Sequence, residues 1–250
     1  MNDTVLGVDI GGSGMKAAEV HVGKGLLVTD RFRIETPQPA TPQAMSQVMN
    51  ELIDHFEWSG PIGCAFPGVI RRSAVVDTAS NLDSSWVGVD AAQLFERNGS
   101  SITMINDADA AGLAEIRLLN EDEVQGVVFM LTIGTGLGTA IFTNGVLVPN
   151  TELGHLEIDG FDAEDRASSR ARKAQGLSMQ EWAARLQIYL AHVEDLFSPD
   201  LFLIGGGISK SFDEFAPMLQ TRAKIQPAAL RNHAGIVGAA LSAAGPAQQT

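Results

Sequence analysis

Apolar and polar positions in this chain change period from stretch to stretch, and the changes divide it into short buried strands, glycine turns and helices. Val5-Leu6-Gly7-Val8-Asp9-Ile10 reads as a buried strand, and Gly11-Gly12-Ser13-Gly14 ends it in a tight turn. Ala17-Ala18-Glu19-Val20-His21-Val22, Leu26-Leu27-Val28 and Arg31-Phe32-Arg33-Ile34 are short runs parted by glycine or polar residues, which predicts an antiparallel meander. A proline-rich loop from Thr36 comes next, and its Thr41-Pro42 opens a helix expected from about Pro42 to Phe56. Pro61 to Phe66 is the next strand and stops at Pro67-Gly68. The order strand, strand, strand, helix, strand builds half of an α/β domain.

Val124 to Ile133 is again strongly apolar and runs into Gly134-Thr135-Gly136 and a further strand through Phe142. The strand-turn-strand device therefore occurs twice, and the chain reads as two related halves. Leu177 to Leu196 carries a helical stripe of Trp182, Leu186, Tyr189, Leu190 and Val193, with Ser178 and Glu181 spaced as a capping box. That stripe reads as core rather than cofactor contact. Leu201-Phe202-Leu203-Ile204 is a buried strand ending at Gly205-Gly206-Gly207, a third glycine turn. No short-period repeat is visible, and the small, polar tail from Gly245 to Thr250 is expected to fray.

With 250 residues, 45% hydrophobic and 19% charged, the chain can bury one large core or two modest ones. Its apolar runs are much shorter than the roughly 18 residues of a membrane span, and no basic stretch leads into a signal-type segment. A cytoplasmic location without a membrane partner is expected. Cys64 is the single cysteine, which excludes an intrachain disulfide framework and a multi-cysteine zinc site; it reads as a buried apolar filler. A formal charge of −13 argues against general nucleic-acid affinity, because such a field repels phosphate backbones. A polyanionic ligand then needs a local basic patch, for which Lys16, Lys24, Arg31, Arg33, Arg71 and Arg72 are candidates. Acid gathers at Glu152, Glu157, Asp159, Asp162, Glu164 and Asp165, and most of these charges read as solvated surface.

A glycine turn after a strand lets backbone N–H groups approach anionic oxygens with no Cβ in the way, and Asp9 is placed to hold a hydrated Mg2+ beside the first one. A plain tight turn explains one such hairpin equally well. Recurrence of the device favours phosphate. The three turns, with Ile105-Asn106-Asp107-Ala108-Asp109-Ala110-Ala111 and Glu152-Leu153-Gly154-His155, resemble the actin/hexokinase-type ATPase fold and, within it, the ROK family of sugar kinases. The resemblance spans most of the chain. Asn81-Leu82-Asp83-Ser84-Ser85-Trp86, Val148 to Glu157, Ser198 to Phe202 and Asn232 to Ala240 look like the polyphosphate-using glucokinase branch of that family. Members of that branch phosphorylate the 6-hydroxyl of glucose with inorganic polyphosphate and, in some cases, ATP. Most ROK proteins carry a cysteine-rich zinc loop soon after Glu-x-Gly-His; the corresponding stretch here, Asp159 to Gln175, is polar and charged, so no zinc is expected. The helix-turn-helix of ROK repressors, which precedes the first glycine turn, is likewise not expected, since four residues stand ahead of that strand.

The resemblance implies a two-lobed α/β, ribonuclease-H-like kinase, with residues 1–108 and 234–250 in one lobe, 109–233 in the other, and a cleft between them that closes on the sugar and excludes water. Asp107 follows an apolar segment at a strand end, where a helix N-cap is the alternative reading; by resemblance it is the general base for the 6-hydroxyl. A hexose pocket needs carboxylates and amides fixed in direction. Asn106, Glu152 and His155 match the residues that bind sugar hydroxyls in ROK kinases, and Glu152 and His155 share a face if their loop makes one helical turn. Gly68 and Asn81 match positions flanking the cleft, and Glu157 is the candidate replacement for a glutamate that follows the zinc loop in other members. Gly11, Gly12, Ser13 and Gly14 would face Gly134, Thr135 and Gly136 across the donor phosphates, while Lys16 either contacts the transferred phosphate or faces solvent. Gly205, Gly206 and Gly207 match the turn beside adenosine in nucleotide-using relatives. The implied ligands are glucose, Mg2+ and polyphosphate or ATP, and the implied assembly is a homodimer. A polyphosphate chain would need a basic track drawn from Arg71, Arg72, Lys16, Lys210, Arg222, Lys224 or Arg231, with binding that depends on Mg2+ and weakens as salt rises. Two other readings stay open: a ROK kinase for mannose, fructose or an N-acetylated hexosamine, and a non-catalytic ROK sugar-binding regulator, which the negative charge disfavours.

Overall fold

The computed structural model describes residues 3–97 and 99–244, so the tail expected to fray lies outside the described residues. The chain begins with β1 (Thr4–Gly11), β2 (Gly14–His21), β3 (Leu26–Leu27), β4 (Phe32–Ile34), α1 (Pro42–His55) and β5 (Ile62–Phe66). A small hairpin, β6 (Ile70–Arg71) and β7 (Val75–Val76), leads to α2 (Ala91–Phe95), β8 (Ile102–Asn106), α3 (Asp107–Ile116) and α4 (Glu121–Val124). Next come β9 (Val127–Ile133), β10 (Leu137–Thr143), β11 (Val146–Val148), β12 (Glu157–Ile158) and β13 (Phe161–Asp162). The remainder is α5 (Ala163–Ala167), α6 (Ser169–Ala174), α7 (Met179–Phe197), β14 (Leu201–Gly205), α8 (Phe212–Phe215), β15 (Lys224–Pro227) and α9 (Ala234–Ala244). These form two compact units, one running to Arg117 and resuming at His233, the other spanning Leu118–Asn232.

In the first unit β1 and β2 zip antiparallel down to Gly11↔Gly14, which makes the turn as tight as its glycines suggest. The expected meander does not form. β4 and β3 both pair with the outer edge of β2, β4 against Met15–Ala17 and β3 against Val20–His21. At eight residues, β2 is long enough to seat two short strands end to end. The inner edge of β1 pairs parallel with β5, and β5 with β8. Gly7 and Gly63 lie side by side in that register, and a Cβ on either would collide with a carbonyl of α9, that of Ile236 or Ala239. This stripe without side chains lets α9 lie on the sheet at backbone contact. Elsewhere the core is conventional: buried Trp86 packs on Phe66 and Phe95, and its indole N–H reaches the carbonyl of Ala40 at 2.9 Å.

The second unit repeats the plan. β9 and β10 zip antiparallel to Ile133↔Leu137 around Gly134-Thr135-Gly136, and β14 adds parallel to β9 in the sheet order β11-β10-β9-β14-β15. Helix α7 starts at the predicted capping box, with Ser178 Oγ accepting from Glu181 N at 3.2 Å and Ser178 N donating to the Glu181 carboxylate at 2.9 Å. Its stripe of Trp182, Leu186, Tyr189, Leu190 and Val193 is buried, as core side chains at helical spacing are. The polar stretch after Asp159 is folded, as β13, α5 and α6, and the indole N–H of Trp182 fixes it by donating to Ala167 O at 2.8 Å. No helix among the described residues is long and apolar enough to cross a membrane.

Candidate functional site

Parallel strands end together, and in the first unit that places the chemistry. Asp9 is in register with Ala65, and Phe66 with Asn106, so Asp9 to Gly11, Pro67-Gly68 and Asn106-Asp107 line the carboxyl edge of one sheet. Asn106 is buried and caps α3: its Oδ1 accepts from Ala108 N at 2.8 Å and Asp109 N at 3.1 Å, while its Nδ2 donates to Gly68 O at 3.1 Å. The cap is therefore Asn106 rather than Asp107. Asp107 becomes the first residue of α3, exposed, with its carboxylate at the positive end of the helix. Around the first glycine turn, Arg33 Nη2 donates to Ser13 O at 2.6 Å, Thr36 Oγ1 to Gly11 O at 2.5 Å, and Asn81 packs on Gly12. Lys16 pairs with Asp9 at 3.0 Å, both part-buried, and Gly235 at the start of α9 packs on the same carboxyl.

In the second unit the glycine turns at the ends of β9 and β14 are neighbours, with Gly205 in register with Thr132 and Gly206 packed on the backbone of Ile133. Two donors of the Gly134 turn are already engaged. Gly134 N bonds to Gly136 O at 2.9 Å, and Leu137 N to the Glu164 carboxylate at 3.0 Å. Arg170 completes this brace, since its N–H reaches Gly134 O at 3.3 Å and its guanidinium the Glu164 carboxylate at 3.1 Å. Glu152 and His155 lie at the ends of one 3₁₀ turn, closed by His155 N to Glu152 O at 3.0 Å, which brings both side chains to the same side. Gly154 has to be glycine there, because a Cβ would run into the carbonyl of Leu137. The turn is also held from beneath by Tyr189, whose hydroxyl donates to Leu153 O at 3.2 Å.

Electrostatics differ at the two ends of that turn. Desolvation pushes the Glu152 carboxyl above its usual range, against a downward pull from His155, and the Glu164 carboxylate adds to the rise. His155 is raised chiefly by its hydrogen bond to Asp162, 2.8 Å from Nδ1, with burial opposing and the charges of Asp162, Glu164 and Glu152 reinforcing. Glu157 is exposed on β12, paired across the hairpin with Asp162.

Residues 5–171 match the ROK family. The chain belongs to the ROK family. It is 45% identical over 238 residues to the polyphosphate glucokinase of Mycobacterium tuberculosis, covering 94% of this chain and 89% of that one. A crystal structure of an inorganic polyphosphate/ATP-glucomannokinase from Arthrobacter sp. strain KM is 51% identical, with a TM-score of 0.88 over 96% of this chain and 98% of its own. A ROK family glucokinase from Streptomyces griseus, solved with glucose and AMPPNP, superposes with a TM-score of 0.81 at 23% identity, covering 96% and 99%, and speaks for the fold alone. The fold is thus the actin/hexokinase-like α/β architecture of ROK sugar kinases.

Several residues of this ROK chain stand where the sequence did not lead. Of the basic residues expected to form a track, Arg71 pairs with Asp77 at 2.8 Å, Arg222 with Asp195 at 3.0 Å and Lys224 with Glu123 at 2.8 Å. Those charges are already matched by carboxylates. Glu123 is held down to about 2 by hydrogen bonds from Lys224, Gln226 and the Asn120 backbone. Conversely, Asp162 and Glu164, grouped by sequence with solvated acid, hold His155 and the Gly134 turn. Asp162 ahead of Ala163-Glu164-Asp165 carries the signature of a helix N-cap. That signature locates α5 but says nothing of a histidine seven residues earlier. A cavity lined by Ile158, Phe161, Arg166, Arg185, Ile188 and Tyr189 contains none of the candidate site residues.

Proposed function

We propose that this protein transfers the terminal phosphoryl group of inorganic polyphosphate to the 6-hydroxyl of glucose. What carries the reading is 45% identity over 94% of the chain to a polyphosphate glucokinase, together with the Asn106-Asp107 helix start and the Glu152–His155 turn. Asp107 accepts the proton as the 6-oxygen attacks phosphorus, and the shortened polyphosphate departs with the electron pair of the broken P–O bond. Its exposed carboxylate at the first residue of α3 supports that role. Asn106, Gly68, Asn81, Glu152, His155 and Glu157 supply the sugar contacts, of which Glu152 and His155 have the strongest support, because both are aimed by one turn. The Gly11–Gly14 turn and, because Gly134 N is bonded to Gly136 O, the Thr135 and Gly136 amides of the second turn receive the phosphates, and Gly205–Gly207 lies beside the adenosine when ATP is the second donor.

Mg2+, when bound, neutralises charge on the phosphate oxygens. The part-buried Asp9 carboxylate beside the first turn suits an ion that takes most of its ligands from phosphate and water, and among the described residues no cluster of three or more His, Cys, Asp or Glu could hold a metal by itself. Lys16 holds Asp9 in place. Zinc has no part in this reading, since Cys64 is the single cysteine and is buried, with its thiol pushed up by desolvation.

Replacing Asp107 by Asn tests the mechanism: glucose 6-phosphate formation falls by about 10²–10⁴-fold, with glucose binding by calorimetry nearly unchanged. Robust turnover in that variant removes Asp107 from its role. Donor choice is read from product formation with long-chain polyphosphate against ATP, each with Mg2+. Competition among sugars sets the acceptor range, with mannose first in line because the Arthrobacter relative is a glucomannokinase.

A further inference from the structure

The Asp162 carboxylate is engaged on both oxygens. Oδ2 lies 2.8 Å from Nδ1 of His155, and Oδ1 accepts from Glu164 N at 2.8 Å as the N-cap of α5. Its backbone is pinned too, by the Glu157↔Asp162 pairing of β12 and β13 and by Ala163 N donating to Leu156 O at 3.0 Å. With one oxygen on the helix end and the other on the imidazole, the carboxylate has a single orientation.

We propose that Asp162 is a positioning residue for the sugar site: it holds a proton on Nδ1 of His155, so that the neutral ring turns Nε2 to the sugar as an acceptor. The inference rests on the reading of His155 as a sugar ligand. An ionised carboxylate only accepts hydrogen bonds, so Nδ1 must be the protonated nitrogen. Asp162, Glu164 and Glu152 are the anions facing the ring, and Arg170 is tied to Glu164; these anions extend upward the pH range of the imidazolium, which offers Nε2–H as a donor, so the acceptor form is the one present above the His155 inflection, where the glucose KM is compared. Sugar affinity should therefore change as His155 titrates. The β12–β13 hairpin and α5 deliver this carboxylate to Nδ1, which leaves Nε2 for the sugar.

Asp162→Asn separates positioning from folding. The asparagine oxygen still caps α5, but its amide donates to Nδ1 and drives the ring proton to Nε2. Long-range 1H–15N NMR correlations should assign the Nδ1–H tautomer to His155 in the wild type and the Nε2–H tautomer in the variant. The inflection in the pH profile of kcat/KM for glucose should move down, since the carboxylate that raises His155 is gone. KM for glucose should rise about tenfold, the worth of one good hydrogen bond, with kcat and the KM for polyphosphate near wild type. If Asp162→Asn does not fold, Asp162→Ser keeps a capping oxygen while withdrawing from the ring, and should also raise the glucose KM and lower the inflection. A folded variant with unchanged tautomer, inflection and glucose KM overturns the proposal, and if His155→Ala still raises the glucose KM, the ligand role of His155 survives it. Wild-type glucose KM in His155→Ala removes both.

Discussion

Glu152 and His155 sit at the two ends of one turn, yet different neighbours tune them, and the difference appears as pH-dependent stability. His155 is raised in the folded chain, mainly through Asp162. Its contribution is fully present below its ordinary value of about 6.5 and is lost as pH rises through the folded value. Urea unfolding should therefore show a larger gap between wild type and Asp162→Asn at about pH 6 than at about pH 9; equal gaps would mean that the contact gives no net stability. Raised by desolvation, the Glu152 carboxyl likewise favours the fold most at the acid end and loses that advantage as pH climbs through its folded value. Residue types and spacing were legible at this scale, down to the helical turn implied by the i, i+3 spacing of Glu152 and His155. Orientation was not. Asn106 and Asp107 are equally plausible caps by composition, and only the backbone at Asn106, extended with φ −59° and ψ 145°, gives the capping place to the first and helical position to the second.

Periodicity located whole elements where each answers to its own side chains. Helices α1 and α7 begin at the caps predicted from Thr41-Pro42 and from Ser178 with Glu181, and three glycine turns end three apolar strands. Pairing was not legible, because β3 and β4 choose between each other and β2 by edge length, which no local pattern records. Equally hidden was the role of Gly7 and Gly63, two unremarkable positions in apolar strands until α9 is laid over them. Gly63→Val should destabilise at or above the upper end of the about 1–3 kcal/mol typical of overpacking, read as a lower urea midpoint, because the clash is with backbone that cannot rotate away. The brace on the second glycine turn makes a separate prediction. Truncating Glu164 to Ala removes the acceptor of Leu137 N and the partner of Arg170. KM for polyphosphate should rise about fivefold, roughly 1 kcal/mol, with a smaller change for glucose; the reverse order would show that Glu164 serves the sugar turn instead.

For the molecule as a whole the difficulty is a donor of high negative charge approaching a chain of net charge −13. Composition made that conflict legible but not its resolution, since the cations it offered are partly consumed: Arg71, Arg222 and Lys224 already face carboxylates. On the proposed reading, backbone amides at the glycine turns and Mg2+ on the donor then do most of the binding. Amides release no counterions, so the salt response should be shallow. Log KM for polyphosphate should rise against log KCl concentration with a slope of about one to two, whereas a track of many lysines and arginines gives nearly one unit per phosphate neutralised. Glucose is uncharged, and its KM should stay flat over the same range. Chelating Mg2+ should cut the rate far more than any salt step, because without it the donor meets the acidic surface unscreened. A slope of several units, with activity that survives chelation, would instead require a basic path assembled from the remaining cations, Arg72, Lys210 and Arg231 first among them, and single Ala variants of those three would then each lower the slope by about one.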